Sequence, residues 1–278
     1  MSTPASPVVR LRAGLERLGA PLCLGIDPNI DALPDGLSRD VHGVEQFARG
    51  ILEAAADAAV AVKVNVAFFE AFGSAGWSVL ERLRSDVPSD HVLILDAKRG
   101  DIGATAERQA ASLLGELGAD GVTLSPYLGE DAIEPFLAYP DRLVYVLART
   151  SNPSAGTFQE LRIEGTGQRL HERVGEWVAD RWPEPRVGLV VGATAAEDLV
   201  SLRRLLPGPA FLVPGVGAQG GDVEAAVRSC HGQLAPGLVN VTRGIAAAST
   251  GADWRQAAAA AAHRWRGIMA EAGATLAS

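Results

Sequence analysis

This sequence is poor in sulfur, short of positive charge and free of long apolar runs. Each shortage narrows what the chain can be. Two cysteines, Cys23 and Cys230, stand among 278 residues. They make no CxxC pair and no His/Cys cluster, so they read as buried thiols rather than as a disulfide framework or a zinc site. No uncharged apolar stretch approaches the length that crosses a bilayer. The opening MSTPASPVVRLRAGL lacks the apolar core of about 7–15 residues that a secretory signal needs, and a cytoplasmic protein with no membrane partner is expected. Lys and Arg total 25 against 33 Asp and Glu, a net charge of −8. A chain this acidic is a poor general binder of nucleic acid or anionic lipid. A few local cations can still hold a small anionic substrate.

What is present points to a folded α/β protein. Hydrophobic residues make up 47% and charged residues 21%, which separates the chain from disordered sequences. Eight apolar runs recur: PLCLGID (21–27), AVAVKVN (59–65), HVLILDAK (91–98), GVTLSP (121–126), RLVYVLART (142–150), RVGLVVGA (186–193), AFLVPGV (210–216) and GLVNVTRG (237–244). They are apolar almost throughout rather than alternating, as strands covered on both faces are. Helical periodicity lies between them. In VEQFARGILEAAADAAV, Val44, Phe47, Ile51 and Ala55 share one face. TAERQAASLLGELG and AAEDLVSLRRLLPG end on Gly or Pro-Gly stop signals. DWRQAAAAAAHRWRGIMAEAG reads as an Ala-rich outer helix. Eight such units predict a closed (β/α)8 TIM barrel, residues 1–278 forming a single domain, with an open doubly wound sheet as the alternative. The longest irregular stretch, 151–168, follows the fifth strand, where a barrel keeps active-site loops.

In a barrel, function gathers at the C-terminal ends of the strands. Those ends carry Asp27, Lys63, Asn65, Asp96, Lys98, Asp101, Ser151, Asn152, Gln219 and Arg243. Asp96 and Lys98 are two apart in LILDAKRGDIGAT, so an extended backbone points them to one side. One reading is a surface ion pair, with Asp101 capping a helix that begins near Ile102. The other is a partly buried Asp–Lys–Asp set that fixes an ammonium where it can deliver a proton to a carbanion. Burial favours the second, because buried charges must compensate one another. PGVGAQGGD, from Pro214 through Gly220 and Gly221, is either a plain turn or a loop offering backbone N–H groups to an anion at a helix start. Arg243 in VTRGI follows strand eight. Loops after strands seven and eight often build a phosphate site in this fold, and an arginine there binds phosphate bidentately.

These motifs resemble the orotidine 5′-monophosphate decarboxylase family. The Asp-x-Lys-x-x-Asp motif, here Asp96, Lys98 and Asp101, is its most specific element. LGIDP, KVNVAFFE, RTSNPSAG and PGVGAQGGD are similar to its longer bacterial branch. The resemblance implies decarboxylation of orotidine 5′-monophosphate to UMP and CO2, the last step of de novo pyrimidine synthesis, with no cofactor and no metal. It assigns Lys98 as proton donor to C6 and Asp96 to the substrate carboxylate and to holding Lys98. Asp27 and Lys63 would bind the ribose, Ser151 would hydrogen-bond the pyrimidine, Gln219 would bridge pyrimidine and phosphate, and Asn152 and Pro214 would also belong to the substrate site. Arg243 and the backbone around Gly220 and Gly221 would bind the 5′-phosphate. Asp101 and Thr105 would reach into the neighbouring subunit's site, making a homodimer the working unit. Asn65 departs from shorter members and would contact ribose. A metal-dependent hexulose-6-phosphate synthase shares the motif but carries a Glu before it, where this chain has Leu93, Ile94 and Leu95. A non-catalytic nucleotide-binding barrel would be expected to have lost Lys98 or Asp96.

Overall fold

The computed structural model of the chain describes residues 5–194, 196–217 and 220–277. Helix α1 (Pro7–Leu18) leads into β1 (Leu22–Ile26), α2 (Val41–Ala55) and β2 (Ala61–Asn65). The short α3 (Ala67–Glu70), α4 (Ser74–Asp86) and β3 (Val92–Arg99) follow. Next come α5 (Gly103–Ala110), which runs on as a π-helical segment Ala111–Glu116, and then β4 (Gly121–Leu124), α6 (Glu134–Leu137) and β5 (Leu143–Arg149). The second half holds α7 (Gly156–Gln159), α8 (Leu170–Arg181), β6 (Val187–Val191), α9 (Ala196–Leu205) and β7 (Ala210–Val213). The chain ends with α10 (Val223–Ser229), β8 (Leu238–Val241), α11 (Arg243–Ala246) and α12 (Trp254–Ala277). Each strand pairs in parallel with the next and β8 returns to β1, closing the (β/α)8 barrel that the eight apolar runs predict.

The period of two along each strand sorts side chains into two cores. Leu22, Leu24, Ile26, Val62, Val64, Leu93 and Leu95 face outward and pack with Val44, Phe47, Ile51 and Ala55 of α2 in the layer between strands and helices. Cys23, Ala61, Val92, Ile94, Tyr145, Leu212 and Leu238 face inward and fill the barrel. Helix α1 joins this inner set through Leu11, which is buried at the barrel's lower end. Burying one such side chain stabilises the fold by about 1.5–3 kcal/mol. Arg10 of α1 pairs with buried Asp120, whose other oxygen accepts the Leu93 N–H at 2.9 Å. The plug is thus fastened to the wall by charge as well as by packing. Both cysteines are buried and unpaired. No helix among the described residues is long and apolar enough to cross a membrane.

Higher up, the inward register turns polar. Above Cys23 come Gly25 and Asp27, above Ala61 come Lys63 and Asn65, and above Ile94 comes Asp96. Thr123 of β4 and Asn240 of β8 complete this upper layer. The strands therefore deliver charge to one end of a barrel whose lower interior is apolar.

Candidate active site

Two lysines and two aspartates alternate at the barrel's upper end. Lys63 Nζ lies 2.9 Å from Asp96 Oδ2 and 3.9 Å from Asp27 Oδ1, and Lys98 Nζ lies 2.6 Å from Asp96 Oδ1. The Thr123 hydroxyl donates to the same Asp96 Oδ1 at 2.9 Å, so this carboxylate takes three donors. Burial by itself would raise the Asp96 carboxyl, but Lys63 and Lys98 outweigh it and hold it far below the usual carboxylate range. Burial works to neutralise Lys63, but Asp27 and Asp96 overrule it and push the ammonium above its ordinary value. Asp27 is the exception: burial raises its carboxyl in spite of Lys63, and its Oδ1 has no hydrogen-bond partner. That unpaired oxygen leaves an acceptor for a ligand hydroxyl. Cys23, beneath the cluster, is kept a neutral thiol, pushed up to about 12 by burial.

The backbone departs from the extended strand that the spacing of Asp96 and Lys98 suggests. Lys98 has φ 44°, the one non-glycine positive φ among the described residues, and the register of β3 against β4 shifts between Leu95 and Arg99. The left-handed turn carries the Lys98 side chain into the opening, where it is 49% exposed rather than partly buried. Its ammonium still folds back onto Asp96. Asp101 does not complete an Asp–Lys–Asp set within the chain. Its Oδ1 accepts the Ile102 N–H at 2.8 Å, and α5 starts at Gly103 with Ile102 in the capping position, so Asp101 is not the helix cap either. The acid and base that join Asp96 and Lys98 are Asp27 and Lys63.

A cavity of about 490 Å³ opens above this cluster. It is lined by Asp27, Lys63, Asn65, Asp96, Lys98, Ser151, Asn152, Pro214 and Arg243, all named by the sequence, and by Thr123, Thr150, Asn240 and Thr242, which were not. Leu147, Val190 and Leu212 supply an apolar wall. Asn65 Oδ1 accepts the Ala67 N–H at 3.2 Å, which fixes its amide and leaves the NH2 side for a ligand. Arg243 opens α11, and among the described residues no carboxylate forms an ion pair with it. On the opposite wall, Gln159 at the end of α7 braces Thr150 twice. It accepts the Thr150 N–H at 2.9 Å and donates to the Thr150 hydroxyl at 2.8 Å. Buried Arg149 backs this loop through Glu160 at 2.7 Å and Asp198 at 3.0 Å.

Four sequence-named residues stand apart from this lining. Gly220 N–H donates to Gly217 O at 2.8 Å and Gly221 N–H to Gly215 O at 3.1 Å, so in this conformation both amides are spent within the loop. The start of α10 is no freer, because the Asp222 carboxylate accepts the Ala225 N–H. Asp101 and Thr105 lie outside the cavity, beside exposed Ile102. Gln219 lies outside the described residues. One composition signal would have pointed to Lys63 and Lys98 at once: they are the chain's two lysines, and both are here.

Comparison with known proteins agrees over nearly the whole chain. The model of the orotidine 5′-phosphate decarboxylase / HUMPS family matches residues 20–261. An orotidine 5′-phosphate decarboxylase of Roseiflexus castenholzii is 50% identical over 88% of this chain and 90% of its own length. That of Herpetosiphon aurantiacus is 42% identical, covering 90% of this chain and 92% of its own. The solved structure of Leishmania donovani OMP decarboxylase superposes with a TM-score of 0.80 at 35% identity, covering 95% of this chain and 99% of that one.

Proposed function

The chain belongs to the orotidine 5′-phosphate decarboxylase family, and from that premise we propose how its cavity performs the reaction. The reaction is the decarboxylation of orotidine 5′-monophosphate to UMP and CO2 in pyrimidine nucleotide synthesis. Loss of CO2 leaves an electron pair in an sp2 orbital at C6 that the ring delocalises little. Lys98 stabilises that pair as it forms and then transfers a proton from Nζ to C6. The observation that carries this reading is the placement of the Lys98 ammonium, half-exposed at the cavity mouth and held on Asp96 at 2.6 Å. Asp96 faces the substrate carboxylate, a like-charge contact that disappears with CO2. Asp27 and Lys63 take the ribose hydroxyls with the Asn65 amide beside them, and Ser151 and Asn152 hold the pyrimidine edge. Arg243 takes the 5′-phosphate, next to Pro214. Gly220, Gly221 and Gln219 join it once the loop reseats around the anion. Remote phosphate binding then contributes to closing the site over the reacting carbon.

One chain leaves Asp101 and Thr105 without a task, and exposed Ile102 after β3 and exposed Tyr127 and Leu128 after the adjacent β4 stand at the same end of the barrel. We read this as the face of a homodimer in which Asp101 and Thr105 serve the partner's cavity. The chain acts as one barrel domain in the cytoplasm, where free nucleotides are made.

The test is the loss of orotidine monophosphate absorbance on adding purified protein without added metal. Lys98→Ala should remain folded and inactive; near-wild-type turnover by that variant overturns the reading. Mixing inactive Lys98→Ala with inactive Asp101→Ala under subunit exchange tests the shared site. About half the dimers become mixed, each with one intact site of two, so roughly a quarter of wild-type activity should return. Exchange verified by differently tagged chains, with no activity recovered, would place Asp101 in its own chain.

A further inference from the structure

We propose that Thr123 is a positioning residue for Lys98, acting through its hydroxyl. The inference rests on the reading of Lys98 as proton donor and adds what holds that lysine in place. Thr123 is 1% exposed and faces inward on β4. The Lys98 N–H donates to its Oγ1 at 3.0 Å, and its Oγ1 lies 2.9 Å from Asp96 Oδ1. The direction of both bonds is fixed by chemistry. A backbone N–H only donates and a carboxylate only accepts, so the single hydroxyl proton points at Asp96. Lys98 Nζ closes the ring on the same oxygen at 2.6 Å. Both ends of Lys98 are therefore tied to one pair: its main chain through Thr123, its ammonium through Asp96.

The backbone explains why this tie is needed. The register slip between Leu95 and Arg99 takes Lys98 out of the β3–β4 ladder, so its N–H finds a side chain instead of a carbonyl. Its φ of 44° is a conformation that a lysine adopts only when its surroundings impose it. Thr123 is the contact that imposes it, and it does so where the ammonium must meet C6. Relaxation of Lys98 toward ordinary strand geometry would swing Nζ off the reacting carbon without emptying the substrate pocket.

The experiment compares Thr123→Val, which keeps the shape and removes the hydroxyl, with Thr123→Ser, which keeps the hydroxyl. Thr123→Val should lower kcat by about 10- to 100-fold while KM stays within about threefold. Thr123→Ser should recover most of the loss. A second reading comes from chemistry at the lysine itself. The chain has two lysines, Lys63 being buried, so acetylation by an N-hydroxysuccinimide ester followed by peptide mass spectrometry reports Lys98 separately. Loosening the Lys98 anchor should speed that labelling about fivefold in Thr123→Val. A purely structural role would lower Tm and leave the kcat-to-KM split and the labelling rate unmoved. A folded Thr123→Val with kcat within threefold of wild type overturns the proposal, as does a Ser variant no better than Val. Should Val fail to fold, a Ser variant below about a tenth of wild-type activity overturns it. Lys98→Ala run in parallel separates the two ideas. If that variant stays active, the proton-donor reading fails and this one with it; if it is dead while Thr123→Val is normal, only Thr123 is refuted.

Discussion

Adding one methyl group at Gly25 should damage the proposed phosphate end of the site from across the β1–β8 seam. Gly25 lies on β1 beside Lys63 in register, and on its other side Thr242, the residue after β8, packs against it. A Cβ built there would sit 1.9 Å from Thr242 Oγ1, 2.8 Å from its Cβ and 3.0 Å from its Cα. Rotation of the threonine can clear the first contact but not the other two. Carbon atoms need about 3.5 Å or more, so the Thr242 backbone must retreat by roughly 0.5–0.7 Å. Overpacking of this kind costs about 1–3 kcal/mol, which in a protein of this size lowers Tm by about 2–12 °C. Because Arg243 is the next residue, the same retreat should cut kcat/KM for orotidine monophosphate by about 100-fold. Orotidine, which lacks the phosphate, should suffer far less. Thermal melts and steady-state kinetics on Gly25→Ala supply both numbers. In a Thr242→Gly background the same substitution should cost much less stability. A Gly25→Ala protein with wild-type Tm and kcat/KM within threefold of wild type would refute the argument.

If Arg243 binds the 5′-phosphate as proposed, Arg243→Ala should raise KM by about 10- to 100-fold and also lower kcat, because the phosphate binding energy would then help assemble the closed site. An equal loss on orotidine itself would show that Arg243 does not bind phosphate. For pH, Asp96 has a folded pKa below its unfolded one, so its contribution to stability is complete above about pH 4 and fades as pH falls through the lower folded value. Asp96→Asn should therefore destabilise by about 3–5 kcal/mol at pH 7, because Lys63 loses its nearest counter-charge. Urea titrations should show that gap shrinking below about pH 4; a gap that stays constant into strong acid would contradict the ion-pair account.

The barrel is legible in the sequence because its strands are covered on both faces. Runs such as VLIL and GLVV need no tertiary knowledge to be read as buried strands, and turn signals separate all eight. The phase of each run, once one inward residue is known, also places Asp27, Lys63 and Asp96 on the cavity side. Legibility stops where the backbone leaves the period of two. The left-handed turn at Lys98 cannot be read from LILDAKRGD, and it is this turn that removes Asp101 from the set and exposes the lysine. Thr123 and Asn240 hide for a different reason. A threonine in GVTLSP fits a strand whether or not its hydroxyl has work to do. The Gly220 and Gly221 amides are spent inside their own loop, a choice between loop and ligand that glycine content leaves open.

The division of cations explains why the site uses lysine. Of the chain's 25 basic residues, all but Lys63 and Lys98 are arginine. Arginine serves where a cation must bind: Arg10 on Asp120, Arg149 on Asp198 and Glu160, Arg203 on four backbone carbonyls. A guanidinium suits those places because it stays charged and offers several donors in a rigid fork. Neither property helps at position 98 if, as proposed, the cation there gives up a proton to carbon, because a group that keeps its proton under all ordinary conditions is useless as an acid. At position 63 the constraint is space and charge. A compact ammonium sits 2.9 Å from one carboxylate and 3.9 Å from another deep in the barrel, and it cancels the repulsion between Asp27 and Asp96. With both lysines charged, the four groups sum to zero before substrate enters. In the proposed reaction the substrate carboxylate adds one uncompensated negative charge beside Asp96. Neutral CO2 departs and leaves that charge on C6. The proton from Lys98 cancels it there and leaves the lysine neutral, and reprotonation of Lys98 from solvent returns the four groups to zero.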